Sequence, residues 1–328
     1  MKLFKIIFFL LGLALLGWVV QATNFSETLD LVSQIGSGFL LVLGIYFLAF
    51  LFDSLTWQVT LLSAPLTPNW LYRFFQMRLA GEAFNNILPA ASMGGEPIKA
   101  VLLKNLHGFN YPESVASLIL ARTINTVSLI LFLMVGFVLM LNSAILDKEY
   151  NSVAGIGLAV LSVLILLFFA VQRFKLASLT SEVLSKNKLF HWLGNILHHI
   201  KDVDETLVDF YTGHHGRAAF AFALAFVNWV LGAAEIYVTM LFLGHPVTLE
   251  EAWIIEAVAQ LVRAATFFIP ASIGAQEGAF LVIGSAVTGS PTIGFAMAIV
   301  RRARELIWIS WGLLAFYITK PDTSLIEE

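Results

Sequence analysis

Long apolar runs alternate with short polar ones along the chain, and the six longest lie near residues 4–20, 37–60, 112–142, 152–172, 217–243 and 292–318. A helix needs roughly 20 apolar residues to cross about 30 Å of hydrocarbon, so each run predicts a membrane span. Two further apolar regions, about 70–106 and 250–289, are each interrupted near the middle by proline and glycine. Between the runs, lysine and arginine gather at the N-terminus, over Arg73–Lys104, over Arg173–Arg217 and at Lys320. The alternate loops hold Glu27 and Asp30, then Asp147, Lys148 and Glu149, then His245, Glu250 and Glu251. The positive-inside rule makes the basic set cytoplasmic, with both termini inside. That orientation requires each interrupted region to enter and leave on one side, the first from the cytoplasm and the second from outside. Both are therefore expected to be re-entrant hairpins rather than kinked spans. Irregular backbone at membrane depth survives only where protein or a water-filled cavity surrounds it.

The two interrupted regions match. Pro89-Ala-Ala-Ser-Met-Gly-Gly-Glu96 and Pro270-Ala-Ser-Ile-Gly-Ala-Gln-Glu277 share the proline-to-glutamate spacing. Asp53 lies 36 residues before Pro89, and Glu235 lies 35 before Pro270. Arg78 and Arg263 precede the prolines, while Arg122 and Arg301 follow the glutamates by about 25 residues. The expected fold is an all-α integral membrane bundle of two inverted-topology repeats, 1–145 and 146–328, each with three spans and one re-entrant hairpin. Such repeats with broken helices at matching positions mark secondary transporters, whose substrate sites lie at the repeat interface. The joining segment, about 173–216, is too polar to span; its leucines recur at helical spacing, predicting an amphipathic helix on the cytoplasmic surface.

Composition agrees with lipid as the solvent: of 328 residues, 59% are hydrophobic and 12% charged, against about 25% charged in soluble domains. A net charge of −3 gives no basis for nucleic-acid binding, and the absence of cysteine excludes disulfides, thiolate catalysis and Cys-ligated metal. The first apolar run ends in Val20-Gln-Ala22, which resembles a cleavage site, but with further spans behind it a retained helix is expected. His198 and Asp202 have i,i+4 spacing, yet no third ligand accompanies them, so no metal or cofactor is expected.

Charges inside spans are costly, about 2.5–3.5 kcal/mol each at the helix centre, and so pair up or face a polar cavity. Arg78, Arg122, Arg263 and Arg301 offer guanidinium forks matched to phosphate. Glu96 and Glu277 stand at or just beyond the hairpin turns, and the arm beginning around Ser272–Glu277 is expected to aim helix N-terminal N–H groups into the cavity. A glutamate there balances that dipole, contacts a cationic headgroup or carries a coupling proton; the residues leave all three open. Asp53 and Glu235 are the candidate coupling acids. Lys99 and Lys104 are expected to snorkel on the cytoplasmic side. Neither a serine-hydrolase elbow, a P-loop nor a zincin motif is present, so an enzyme is not expected.

The stretches "NNILPAASMGGEPIKAVLL", "LILARTINTVSLI", "IPASIGAQEGAFLVI" and "AMAIVRRARELIWISWGLL" resemble the membrane domain of lysylphosphatidylglycerol synthase/flippase proteins, the multiple peptide resistance factors. Stand-alone members include hopanoid-associated membrane proteins. The resemblance implies movement of a lipid with a charged headgroup between leaflets of a bacterial or archaeal cell membrane. The partner is then a phospholipid, an aminoacyl-lipid or a polyprenyl or hopanoid lipid, and the sequence leaves a homodimer open. It assigns Asn86, Pro89, Gly94, Gly95 and Glu96 to the first loop, Pro270, Gly274, Gln276, Glu277 and Gly278 to the second, and adds Arg122, Arg301, Arg304 and Glu305. Full-length synthases continue into a soluble aminoacyl-transferase domain, which does not follow in this sequence, so aminoacylation is not expected. An integral-membrane enzyme acting on a lipid headgroup and a non-transporting scaffold are the rival readings.

Overall fold

A computed structural model describes residues 2–87, 94–143, 155–160, 163, 208–267 and 269–319. Every element among them is helical. The helices are α1 (Lys2–Gln21), α2 (Phe25–Gln34), α3 (Gly38–Thr60), α4 (Pro68–Ile87), α5 (Glu96–His107), α6 (Tyr111–Asn142), α7 (His215–Phe242), α8 (Leu249–Ala265), α9 (Ala275–Thr288) and α10 (Pro291–Thr319).

Local chemistry sets their ends. Asn24 caps α2 by accepting from the Glu27 N–H, and Thr248 with Glu251 forms a reciprocal capping box at the start of α8. Gly108 and Gly289 stop α5 and α9 at φ of 72° and 76°, left-handed values that side chains resist. Pro112 sits in the first turn of α6, where its missing N–H costs nothing.

Among the described residues three helices, α3, α6 and α7, are long and apolar enough to cross a membrane. Helix α10 is 29 residues long but carries Arg301, Arg302, Arg304 and Glu305 at its middle, which separates it from that purely apolar set. Of the run expected at 152–172, only 155–160 and 163 fall among the described residues, and these are helical. Most of the expected amphipathic segment, 173–207 with His198 and Asp202, lies outside them.

Both interrupted regions form helix–break–helix units. Helix α4 packs on α5, and α8 packs on α9. At 1.5 Å per residue the 12, 17 and 14 residues of α5, α8 and α9 reach about 18, 26 and 21 Å, each short of the hydrocarbon thickness. Between α4 and α5 the described residues are Gly94 and Gly95, in a turn; 88–93, with Pro89, lie outside the described residues. Between α8 and α9 lies a 3-10 turn, Pro270–Ser272, after which Gly274 at φ 79° opens α9.

Helices α3 and α7 form the central pair. The two longest flanking helices pack across both helix–break–helix units: α6 packs on α8 as well as on α5, and α10 packs on α4 as well as on α9. Glycines permit both crossings. A Cβ on Gly136 of α6 would collide with Ala257 of α8, and one on Gly312 of α10 would collide with the Leu79 carbonyl of α4. The two largest hydrophobic clusters are one built chiefly from α7–α10 with Val42 and Met140 and one from α3–α6 around Trp57, Phe74 and Leu103.

Candidate functional site

Alpha-helical periodicity places polar side chains along one face of several helices. Arg78, Glu82 and Asn86 recur at i, i+4 and i+8 on α4; Arg122, Asn125 and Thr126 at i, i+3 and i+4 on α6; Glu256, Gln260 and Arg263 at i, i+4 and i+7 on α8. These faces converge with Asp53 of α3, Glu235 of α7 and Arg301 and Arg304 of α10 on one cleft of about 410 Å³, a volume typical of small-ligand sites. Its wall carries six basic side chains and five acidic ones, with aromatic surface from Tyr46, Phe50, Trp57 and Trp229.

On the first-half wall, Asp53 is buried and pairs with Arg78. Asn125 Nδ2 donates to the other Asp53 oxygen at 2.6 Å. The Arg78 guanidinium lies 4.1 Å from the Phe50 ring centre. Lys99 Nζ donates to Glu96 at 2.7 Å and sits 5.5 Å from the Trp57 ring centre. Asn85 near the end of α4 accepts the Gly95 N–H at 2.7 Å, which satisfies the backbone entering α5. Asn86 Nδ2 donates to Glu82 Oε1 at 3.2 Å.

The second-half wall is drier and more heavily paired. Arg301, 4% exposed, donates to Glu256 at 2.6 Å and lies 3.6 Å from Glu235. Arg304 pairs with Glu235 and stacks 3.7 Å from the Tyr46 ring centre. Gln260 donates to the remaining Glu256 oxygen at 2.7 Å. Buried ion pairs of this kind offset a large desolvation cost only while every member is present. Arg263 reaches Glu305 at 3.6 Å.

Several expectations change here. Of the four arginines expected as free phosphate forks, Arg78 and Arg301 are held by internal carboxylates and Arg263 leans on Glu305, whereas Arg122 is exposed and has no side-chain partner among the described residues. The α9 N-terminus does not offer its N–H groups to the cleft: Glu277 accepts the Gly274 N–H at 2.7 Å and is paired with Arg302. Gln276, Glu277 and Glu305 do not line the cleft; Gln276 donates to Glu305 at 3.3 Å, and Arg302 joins Glu305 at 2.7 Å, forming a separate buried knot between α9 and α10. Gly94, Gly95, Pro270 and Gly274 also stand off the cleft, in the turns before α5 and α9, and Gly278 stands off it within α9. Lys99 does not snorkel, because Glu96 one turn away and Trp57 hold it against the cleft. Arg78, Glu96, Arg122, Arg263, Arg301 and Arg304 do come together, as do Asn86, Asp53 and Glu235.

Sequence reasoning gave no role to Asn125, Gln260 or Tyr46 and left Glu82 among the unassigned charges. The signal was present: Glu82 stands four residues from both Arg78 and Asn86, and Asn125 three from Arg122. The matched arginines show the same rule, since Asn125 reaches Asp53 and Arg304, three after Arg301, reaches Glu235.

A family model described as the lysylphosphatidylglycerol synthase TM region matches residues 4–311. Two archaeal relatives, each described as a UPF0104 membrane protein, are 22% identical. The one from Methanothermobacter thermautotrophicus aligns over 274 residues, 78% of this chain and 78% of its own. The one from Pyrococcus horikoshii aligns over 299, 85% of this chain and 88% of its own. No solved structure matches the chain.

Proposed function

The chain belongs to the family of lysylphosphatidylglycerol synthase TM regions, and from that premise we propose that it moves a lipid with a charged, phosphate-bearing headgroup between membrane leaflets. The headgroup enters the cleft while the hydrocarbon chains stay in the bilayer, and no bond of the lipid is made or broken. Arg122 carries this reading. It lies three turns inside α6, one of the apolar helices, where a guanidinium is expensive. Every other arginine on the cleft has a carboxylate within ion-pair distance. An arginine kept without one suits an external anion, and its planar fork matches phosphate.

Two further observations support a transporter built from inverted repeats. The exchange of α6 and α10 between the helix–break–helix units is reciprocal, and Asp53 and Glu235 receive donors from matching positions. Such an arrangement puts the substrate between the halves. The re-entrant reading of both units and the cytoplasmic placement of both termini belong to the same proposal, resting on the lysine and arginine distribution. A scaffold whose charges only fasten helices together has no use for an exposed Arg122 on an opening of this size.

Reconstitution tests the function. Proteoliposomes containing tail-labelled fluorescent phospholipids should bleach faster from the inner leaflet than protein-free vesicles when a membrane-impermeant reductant is added, and R122A should return to the protein-free rate. A wild-type rate equal to that of empty vesicles defeats the transport reading; an R122A rate equal to wild type defeats the assignment of Arg122.

A further inference from the structure

The charges of the cleft nearly cancel in pairs, and the remainder describes a ligand. Arg78 is held by Asp53, Lys99 by Glu96 at 2.7 Å, Arg301 by Glu256 at 2.6 Å, Arg304 by Glu235, and Arg263 by Glu305 at 3.6 Å from behind the wall. Among the described residues this leaves one cation, Arg122, without a partner and one carboxylate, Glu82, with no partner other than the neutral amide of Asn86 at 3.2 Å. Cations do face Glu82, but Arg78 and Lys99 each have an acid of their own, and Arg263 leans on Glu305, which it shares with Arg302 and Arg304.

We infer that the cleft selects a zwitterionic phospholipid headgroup bearing one phosphate and one primary ammonium, with Arg122 on the phosphate and Glu82 on the ammonium. The inference rests on the lipid-transport reading above and sharpens it. A purely anionic headgroup would satisfy Arg122 but set a second negative charge against Glu82, and like charges so placed are disfavoured. A purely cationic headgroup would reverse the fault. A zwitterion answers both charges at once.

The two poles are joined by a continuous floor. Arg122 and Asn125 lie one turn apart on α6; Asn125 donates to Asp53 at 2.6 Å; Asp53 pairs with Arg78; and Arg78 and Glu82 lie one turn apart on α4. Residues one turn apart have Cβ atoms roughly 5–6 Å from each other, so Arg122 and Glu82 each stand one turn from a member of the Asp53 bridge, and both line the cleft. A headgroup lying over that bridge meets the guanidinium with its phosphate and the carboxylate with its amine. A primary ammonium is preferred over a quaternary one because it donates hydrogen bonds to Glu82. Quaternary ammonium depends instead on a cage of open aromatic faces, and three of the cleft's aromatic faces, Trp57, Phe50 and Tyr46, already carry Lys99, Arg78 and Arg304.

The test is differential binding by the full chain in detergent. Thermal unfolding with dihexanoyl phosphatidylethanolamine, phosphatidylglycerol or phosphatidylcholine gives apparent affinities from ligand stabilisation. The wild type should bind the ethanolamine lipid about tenfold more tightly than the other two, a factor within the worth of one charge-assisted hydrogen bond. In E82Q the ethanolamine lipid should fall to the level of the glycerol lipid, and the glycerol lipid should bind more tightly than before. Equal wild-type affinity for the ethanolamine and glycerol lipids overturns the headgroup assignment even if E82Q does not fold, as does an unchanged ratio in a folded E82Q. Tail-labelled ethanolamine and glycerol lipids in proteoliposomes separate the two readings. Movement of both at equal rates removes the selectivity and keeps transport; selective binding with no movement of either keeps the headgroup assignment and removes transport.

Discussion

The two halves of the molecule repeat an acid, an arginine, a break, a glutamate and a second arginine, but they connect these groups differently. In the first half Asp53 takes the α4 arginine, Arg78, and Arg122 on the crossing helix has no side-chain partner among the described residues. In the second half Glu235 takes Arg304 and approaches Arg301, both on the crossing helix, and the α8 arginine, Arg263, turns to Glu305. Two substitutions between the halves account for the change. Three residues after Arg122 stands Asn125, which reaches its acid without adding charge, whereas Arg304 at the matching place consumes the charge of Glu235. Seven residues before Arg263 stands Glu256, which seals Arg301; seven before Arg78 stands Leu71. Near-identical spacing thus yields one guanidinium locked into the bundle and one offered to the cleft. Matched spacing fixes where charges lie along the helices, while the neighbours of each charge decide whether it is sealed in an ion pair or left facing the cleft.

Removing the acids should expose this difference most clearly. Glu235 is 3% exposed and serves two arginines, so E235Q should cost about 3–5 kcal/mol, the usual penalty for orphaning a buried charge. Denaturant or thermal unfolding in detergent would read it. A loss under about 1 kcal/mol would mean that Arg301 and Arg304 reach water, contrary to their burial. The matching first-half change, D53N, should cost less, about 1.5–3 kcal/mol, because Arg78 is 19% exposed and stays partly solvated over Phe50. Equal losses in the two variants would erase the contrast between a structural wall and a binding wall.

The crossing glycines sharpen the comparison at a smaller scale. A Cβ at Gly312 meets the backbone carbonyl of Leu79, which cannot move without shifting α4, whereas one at Gly136 meets the side chains of Ala257 and Trp253. G312A should therefore lose about 1–3 kcal/mol, the range for overpacking, and G136A should lose less in the same unfolding assay. The reverse order would place the rigid contact at the α6–α8 crossing instead.

How far the sequence foretold this arrangement follows from what spacing along a helix can encode. The apolar runs gave α3, α6 and α7, and the matched Pro-to-Glu stretches gave two helix–break–helix units, since both signals are local. Which acid meets which arginine was not legible. It depends on the rotation of each helix about its axis and on the exchange of α6 and α10 between units, and neither is written in residue spacing. Glu277 illustrates the limit: its position after a break suggested a residue facing the cavity, yet three residues into α9 a carboxylate can instead fold back on the Gly274 N–H, and Arg302 fixes it there. Glu82 illustrates the converse, a lone acid in an unremarkable α4 sequence that acquires meaning only once Asp53, Glu96 and Glu305 have claimed the cations around it.

The smallest expected loss of stability bears hardest on function. R122Q removes an exposed guanidinium with no partner among the described residues, so folding should change by no more than about 0.5 kcal/mol. The same change at Arg301 strips Glu256 and Glu235 of a buried counter-charge and should cost several times as much, about 3–5 kcal/mol. The two variants should then behave oppositely in lipid. R122Q should unfold like the wild type yet move tail-labelled phospholipid at least about tenfold more slowly, because the phosphate loses a charge-assisted hydrogen bond. If R122Q instead destabilises the protein as much as R301Q does, Arg122 holds a structural partner, and the division between a sealed half and an open half fails.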